Sequence, residues 1–356
     1  MRLYILKRLL LFLPTLFGMI CVNFLFVQFL PGGPIEHVLA QTLQSSPIEN
    51  ATQGERSRYL ISESPNEEAI EALNKRFGFD KTLWQRFWDE VYRLLSFQFG
   101  DSFFHHKSVL QVMEEKLPVS LSLGFLTFVL TYLVCIPLGI LRALKNGSQF
   151  DILSGWFTLV AYSIPTFALG VLLIVFFGGG SFWHIFPIRG LVSENFALLS
   201  FWGKVRDYLY HLCLPVLCLS FANLAFMSSL TKNAILNQMK EDYVRTARVK
   251  GLSELSILLK HVLKNAATTL LAGFGPYFLR IFFTSSLMIE TLFSLDGLGL
   301  LSYDSLLRRD YPVVMANFYV LSLLLIVGNL ISDLVLASLD PRISLSATDQ
   351  LNGLRE

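Results

Sequence analysis

Three ionisable residues stand inside apolar runs, where charge has a chemical cost. Arg280 lies in the middle of one run, Glu290 near the end of the same run, and Asp333 late in another. A charge facing hydrocarbon costs roughly 2.5–3.5 kcal/mol or more. Each therefore faces a protein interior, an aqueous path or a partner. Two roles fit: contact with charged groups of a translocating solute, or an ion pair that holds helices together. No two acids share a helix face within an apolar run, so nothing is spaced like a proton relay. Cys21, Cys135, Cys213 and Cys218 show neither CxxC nor a Cys/His metal spacing and read as free buried thiols. His105-His106 is a pair in a polar stretch and does not read as a metal site. There is no GxxxxGK[ST] phosphate loop, no HExxH and no GxSxG elbow. The expectation is a non-enzyme with no catalytic residue, metal or cofactor of its own. If it is driven by ATP, another chain must hydrolyse that ATP.

A second cluster of chemistry is cationic. The stretch Thr231–Asn265 carries Lys232, Lys240, Arg245, Arg248, Lys250, Lys260 and Lys264. Within it, Asp242 to Lys250 reads as a short basic amphipathic helix. Gly251 breaks it, and Ser253 with Glu254 caps the next helix. Two short helices joined this tightly make a knob that fits a cleft on a soluble partner. The plain alternative is a basic loop that only fixes topology.

These residues must be positioned by membrane-spanning helices. Of the 356 residues 53% are hydrophobic and 16% charged, and 31 are Phe. The charged share is well below the roughly 25% of soluble domains. Mean hydropathy is +0.53. Six apolar segments can each cross a bilayer: Leu9–Leu30, Leu117–Leu141, Ile152–Phe177, His211–Leu230, Ala267–Phe293 and Pro312–Leu339. The first is too long for a signal-peptide core and reads as a retained helix. Pro14, Pro137, Pro165 and Pro215 lie in or beside these spans, and such prolines favour a bundle enclosing a path over a simple anchor. Arg2, Lys7, Arg8, Arg142, Lys145 and the basic loop then share one side, the cytoplasm. Both termini fall there.

The expected division is a first segment and span over 1–30, an extracytoplasmic loop over 31–116, a five-helix core over 117–339 with its cytoplasmic loop at 231–265, and a tail over 340–356. The outer loop holds 13 acidic and 9 basic residues. Asn66–Leu73 reads as a short helix, and Leu83–Phe99 as an amphipathic one that lies on the outer membrane surface or against a partner subunit. The net charge of +2 gives no reason to expect a nucleic-acid partner.

Several blocks in this order carry a family signature. Tyr4 to Leu9 opens the chain, Phe29-Leu30-Pro31-Gly32-Gly33-Pro34 follows the first span, and Phe97 to Ser102 ends the amphipathic stretch. Asp242 to Leu252 follows, then Glu290 to Leu300, Arg309-Asp310-Tyr311-Pro312-Val313-Val314 and Leu339-Asp340-Pro341-Arg342-Ile343. Over nearly its full length the chain resembles the permease subunits of bacterial ATP-binding-cassette importers for dipeptides, oligopeptides and nickel. It is most similar to the first permease of a pair, of the Yej peptide type.

The resemblance implies an all-α transmembrane bundle of the type I importer permease (MetI-like) fold in the inner membrane. The implied partners are a second homologous permease, two ATPase subunits and a periplasmic peptide-binding protein. In the family's coupling motif, Arg245-Thr246-Ala247 takes the place of Glu-Ala-Ala, and the motif's closing proline is absent near His261–Asn265. Tyr243, Arg245, Ala247, Arg248, Gly251 and Leu252 become the expected coupling residues. Arg245 and Arg248 would meet acidic groups of the ATPase, and Ala247 would allow close approach. Asp296, Gly297 and Gly299 fall in an outer loop that lines the exit from the binding protein or simply turns the chain. Peptide is the expected solute, because no His or Cys/Met cluster lines a span. Nickel or another small solute is the alternative. An ion-coupled secondary transporter is further off, since no internal repeat or midplane carboxylate pair is present.

Overall fold

The structure is a computed structural model that describes residues 2–29, 81–105, 107–179, 182–272 and 286–339. The helix expected at Asn66–Leu73, Arg280, His106 and the tail from Asp340 lie outside the described residues. Among those described, the chain is helical, with isolated bridges at Asp101–Ser108 and Gly178–His184 and no strand.

The helices are α1 (Arg2–Phe29), α2 (Leu83–Leu95), α3 (Val109–Leu144), α4 (Gln149–Ser163), α5 (Thr166–Phe177), α6 (Phe201–Met239), α7 (Asp242–Val249), α8 (Glu254–Ile257), α9 (Leu263–Ala272), α10 (Ser286–Leu292), α11 (Leu298–Arg308) and α12 (Tyr311–Leu339). A single π turn, Leu258–Val262, joins α8 to α9. Helices α3, α6 and α12 are long and apolar enough to cross a membrane. Of the first span, the apolar stretch Leu10–Leu25 is described in full. The fifth expected span is described at its two ends, in α9 and α10.

The third expected span, Ile152–Phe177, is not one rod. It is the pair α4 and α5, bent by 97°. The cause is local. Pro165 has no N–H to donate, and its ring drives Ile164 to an extended ψ of 122°.

The described residues group into two compact units. One is built on Glu115–Leu301. Its largest apolar cluster joins Val119 and Leu123 of α3 to Leu212, Leu214 and Leu219 of α6 and to Ile289, Phe293 and Leu295. Small residues set the helix spacing. A Cβ on Gly139 of α3 would lie 2.5 Å from Thr231 Cβ and 2.8 Å from the Ser228 carbonyl oxygen, so the two backbones approach as closely as glycine allows. Gly170 of α5 likewise makes room for Leu292, whose Cδ2 would lie 2.5 Å from an added Cβ.

The other unit is built on Pro14–Glu114 and Ser302–Ser322. Here α2 begins at a capping box in which Thr82 Oγ1 accepts from the Gln85 N–H and Gln85 Oε1 accepts from the Thr82 N–H. Its Phe87, Val91 and Leu94 are buried, and Phe87 meets Phe17 and Phe24 of α1 edge-on. Burial of Glu90 on the same helix raises its carboxyl pKa above the usual range. Asp310, also buried, accepts from Ser102 Oγ at 2.5 Å and from the Phe103 N–H at 3.2 Å. That contact joins two stretches singled out in the sequence, Phe97–Ser102 and Arg309–Val314.

Candidate functional site

The basic loop folds as a built knob. Helix α7 is anchored inward by Val244 and Ala247, which are buried in one cluster with Ala143 of α3, Ala234 and Ile235 of α6, and Ile257, Leu258, Val262 and Ala266. Tyr243 at the start of α7 donates its hydroxyl to Gln238 Oε1 at 2.8 Å. The helix ends in a left-handed cap. Gly251 has φ +78°. Its N–H donates to the Arg248 carbonyl at 2.9 Å, and the Leu252 N–H donates to the Ala247 carbonyl at 3.2 Å. This is the paired bonding of a Schellman turn, and it requires a residue that tolerates positive φ. An added Cβ at Gly251 meets nothing within 4 Å, so backbone conformation alone selects glycine there. Ser253 Oγ then accepts from the Ser256 N–H at 3.4 Å and starts α8.

Arg248 spans the turn. Its Nε and Nη2 donate to the two carboxylate oxygens of Glu254 at 2.7 and 3.1 Å. This fork is bidentate and charge-assisted. It holds the Glu254 carboxyl below the usual carboxylate range and raises the Arg248 guanidinium further. Arg245 pairs with Asp242 at 3.4 Å on the exposed side of α7.

Three findings differ from what the residue types suggest. Ala247 is turned into the chain's own core, so its small size serves packing of the knob on α3 and α6. Arg248 is already paired across the turn. The exposed crest carries apolar side chains that were not singled out: Val249, 88% exposed, with Leu252 and Leu255 beside it. Their signal in the sequence is weak. They are apolar residues off the buried Val244/Ala247 stripe of a basic segment.

At the opposite end of the same unit, Glu290 is fully buried. Its Oε2 accepts from the Leu300 N–H at 2.7 Å, and Oε1 accepts from Ser120 Oγ at 3.3 Å. Ser120 Oγ also accepts from the Leu298 N–H at 2.8 Å. Two side chains from α10 and α3 thus satisfy the first amides of α11, and the carboxylate sits where the helix dipole favours an anion. Gly297 is buried beside them. A Cβ there would lie 2.6 Å from Glu290 Oε1 and 2.7 Å from Ser120 Oγ. Asp296 is exposed and paired with Lys116. Gly299 is the second residue of α11 and is half-buried. Asp333 is half-buried on α12. Among the described residues no group of three or more metal-ligating side chains converges.

A third polar cluster was missed in the sequence. Asp151 at the start of α4 pairs with Arg142 of α3 at 3.3 Å and with Lys232 of α6 at 2.6 Å. Arg142 and Lys232 had been read only as markers of the cytoplasmic side.

This helical framework has known relatives. The family model for the binding-protein-dependent transport system inner membrane component matches residues 135–345. A peptidoglycan transport system permease protein, YejB, of Agrobacterium fabrum is 44% identical over 97% of this chain and 99% of its own length. An inner membrane ABC transporter permease protein, YejB, of Escherichia coli O157:H7 is 42% identical over 96% and 98%. The dipeptide transport system permease protein DppB of Escherichia coli K12 is 31% identical over 96% and 98%. A chain of the inward-facing MetNI methionine ABC transporter overlaps 65% of this chain and 97% of its own at a TM-score of 0.48 and 16% identity. Matched by the family model over more than half its length and by these permeases almost end to end, the chain belongs to the family of binding-protein-dependent transport system inner membrane components.

Proposed function

We propose that this chain is a permease subunit of an ATP-driven importer that takes up peptides. The observation that carries this reading is identity of 42–44% to two YejB permeases over 96–97% of the chain. Identity of 31% to a dipeptide permease adds to it. The chain pairs with a second permease. Two ATPase subunits bind beneath them and hold ATP and Mg, and a binding protein delivers the solute from outside. Both termini and the α7–α8 knob lie in the cytoplasm, as the basic residues at Arg2–Arg8, Arg142–Lys145 and Lys232–Lys264 favour.

The knob is the proposed contact with the ATPase. Its crest presents Val249, Leu252 and Leu255, framed by Arg245 and Lys250. An apolar centre with a charged rim is the usual anatomy of a protein interface. Val244 and Ala247 transmit its displacement to α3 and α6. At the outer end, Glu290, Ser120 and Gly297 hold α10, α3 and α11 together, a positioning role more than contact with solute.

A second solute reading follows from the 44% relative, which is described as a peptidoglycan transport permease. Cell-wall fragments bearing peptides would then enter by the same route. The test is ATP hydrolysis by the reconstituted transporter with its binding protein, loaded in turn with peptides and with peptidoglycan fragments. Stimulation by loaded binding protein supports an importer, and the better stimulant names the solute class. A complex that assembles but responds to neither would remove both solute readings.

A further inference from the structure

Helices α3, α4 and α6 meet around one carboxylate. Asp151 Oδ1 accepts from Arg142 Nε at 3.3 Å, and Oδ2 accepts from Lys232 Nζ at 2.6 Å and from the Gly147 N–H at 3.1 Å. Arg142 Nη1 donates to Ser228 Oγ at 3.1 Å. Among the described residues Asp151 is the carboxylate paired with these two cations. The cluster therefore keeps one positive charge in excess. Arg142 is only 7% exposed, and the side chain of Lys232, which carries the excess charge, is 18% exposed. A charge this poorly hydrated and left without its own anion is unfavourable, and an anion from outside the chain would relieve it. Topology explains why bases gather at this end of the bundle. It does not explain why two of them converge on one acid inside the helix layer.

Beside the cluster is an open pocket of about 410 Å³ between α4 and α6. Arg142, Asp151 and Lys232 form its polar part, and Ile152, Trp156 and Leu159 form the apolar part. Those three apolar side chains are exposed on α4, so the cavity runs out onto the apolar surface of that helix. Gly155 keeps its wall thin, since a Cβ there would lie 2.9 Å from Arg142 Nη2. A site that is cationic at one end and apolar at the other suits an amphiphile with an anionic head. Basic pockets between spanning helices on the cytoplasmic side bind acidic headgroups on the same grounds.

We propose that this cavity binds the phosphate headgroup of an anionic phospholipid of the cytoplasmic leaflet, with its acyl chains lying along Trp156 and Leu159. The leaflet rests on the orientation given under the proposed function. The site itself depends neither on the solute nor on which side it faces.

The test is lipid retention by the assembled transporter. The complex is reconstituted in nanodiscs holding equal amounts of phosphatidylcholine and phosphatidylglycerol, then stripped with detergent. Retained lipid is counted by native mass spectrometry. The wild-type complex is expected to keep phosphatidylglycerol in preference to phosphatidylcholine. Lys232→Gln removes the excess charge while leaving the Arg142–Asp151 pair, and should lower that preference about fivefold, as expected for one basic group at a membrane surface. Ile152→Trp fills the cavity mouth with the charges intact and should give a similar loss, so the proposal stays testable if Lys232→Gln fails to assemble. Unchanged retention in the variants overturns the proposal. Displacement by inorganic phosphate would mean a free-phosphate site instead. Retention by the lone chain but not by the assembled transporter would mean that a partner subunit covers the cavity.

Discussion

Replacing Gly297 by alanine tests the buried contact between Glu290, Ser120 and the start of α11. The new methyl would lie 2.6 Å from Glu290 Oε1 and 2.7 Å from both Glu290 Cδ and Ser120 Oγ. To restore ordinary contact at 3.4 Å the carboxylate must retreat by about 0.8 Å. A retreat of that size carries its other oxygen away from the Leu300 N–H, which it now meets at 2.7 Å. Loss of a hydrogen bond to a charged group costs about 1.5–3 kcal/mol, and displacement of Ser120 from the Leu298 amide costs about 0.5–1.5 kcal/mol more. The expected destabilisation is therefore about 2–4.5 kcal/mol. Glu290→Ala should cost a similar amount by orphaning the same amide. The two changes should not add, because in the double variant the methyl introduced at position 297 enters space that the carboxylate has left. A coupling of at least about 1.5 kcal/mol is expected, within the range for residues in direct contact. The assay is the unfolding midpoint of the four proteins in mixed micelles titrated with dodecyl sulfate. Additivity within about 0.5 kcal/mol would refute the steric argument.

Gly251→Val forces a β-branched residue to φ +78° and should cost about 1–2 kcal/mol locally; ATP hydrolysis should continue while uptake falls, and normal coupled uptake would rule the turn out as a coupling element. Because the bond from Arg248 holds the Glu254 carboxyl below its ordinary range, the stability from this fork is complete above the unfolded pKa of about 4.3 and is lost only as pH falls through the lower folded value. Proteolysis at the α7–α8 turn should therefore not vary between pH 8 and pH 6, and should rise in strong acid; Glu254→Gln should raise it between pH 8 and pH 6 and make no difference in strong acid. Asp151→Ala leaves Arg142 and Lys232 facing each other without their anion, and a broken buried pair costs about 3–5 kcal/mol. Membrane-inserted protein should fall sharply, with partial recovery when Asp151→Ala is combined with Lys232→Met.

Three of the spans were legible because lipid imposes a simple rule on composition, and α3, α6 and α12 lie where long apolar runs predict helices. The turn at Gly251 and the cap at Ser253 were legible because each is set by residues within one helical turn. What escaped depends on tertiary approach. Pro165 marks a break, but nothing local sets it at 97°. Lys232 and Asp151 are 81 positions apart, and only the packing of α4 on α6 pairs them. Gly297 looks like a flexible loop glycine. Its requirement comes from a carboxylate on α10 and a hydroxyl on α3. Likewise Ala247 and Val249 differ little as residue types, yet one faces the core and the other faces outward.

That opposition allows the knob's two faces to be separated by experiment. The inner face, Val244 and Ala247, packs on Ala143, Ala234 and Ile235. Helices α3 and α6, which carry those residues, are held together at one end by the Gly139–Thr231 approach and the Arg142–Ser228 bond, and at the other by the Ser122–Tyr208 bond at 2.6 Å. In the proposed coupling, displacement of the knob enters this pair through the packing of the inner face, and the Gly251 turn keeps α7 and α8 fixed to each other. Ala247→Leu overfills this inner face at a cost of about 1–3 kcal/mol. It should leave ATPase binding intact and impair uptake. Val249→Asp places a charge on the outer crest, should leave the permease as stable as before, and should weaken copurification of the ATPase. If both variants lose the ATPase together, the two faces are not separate elements; if both keep it with full uptake, the knob is only a topological loop.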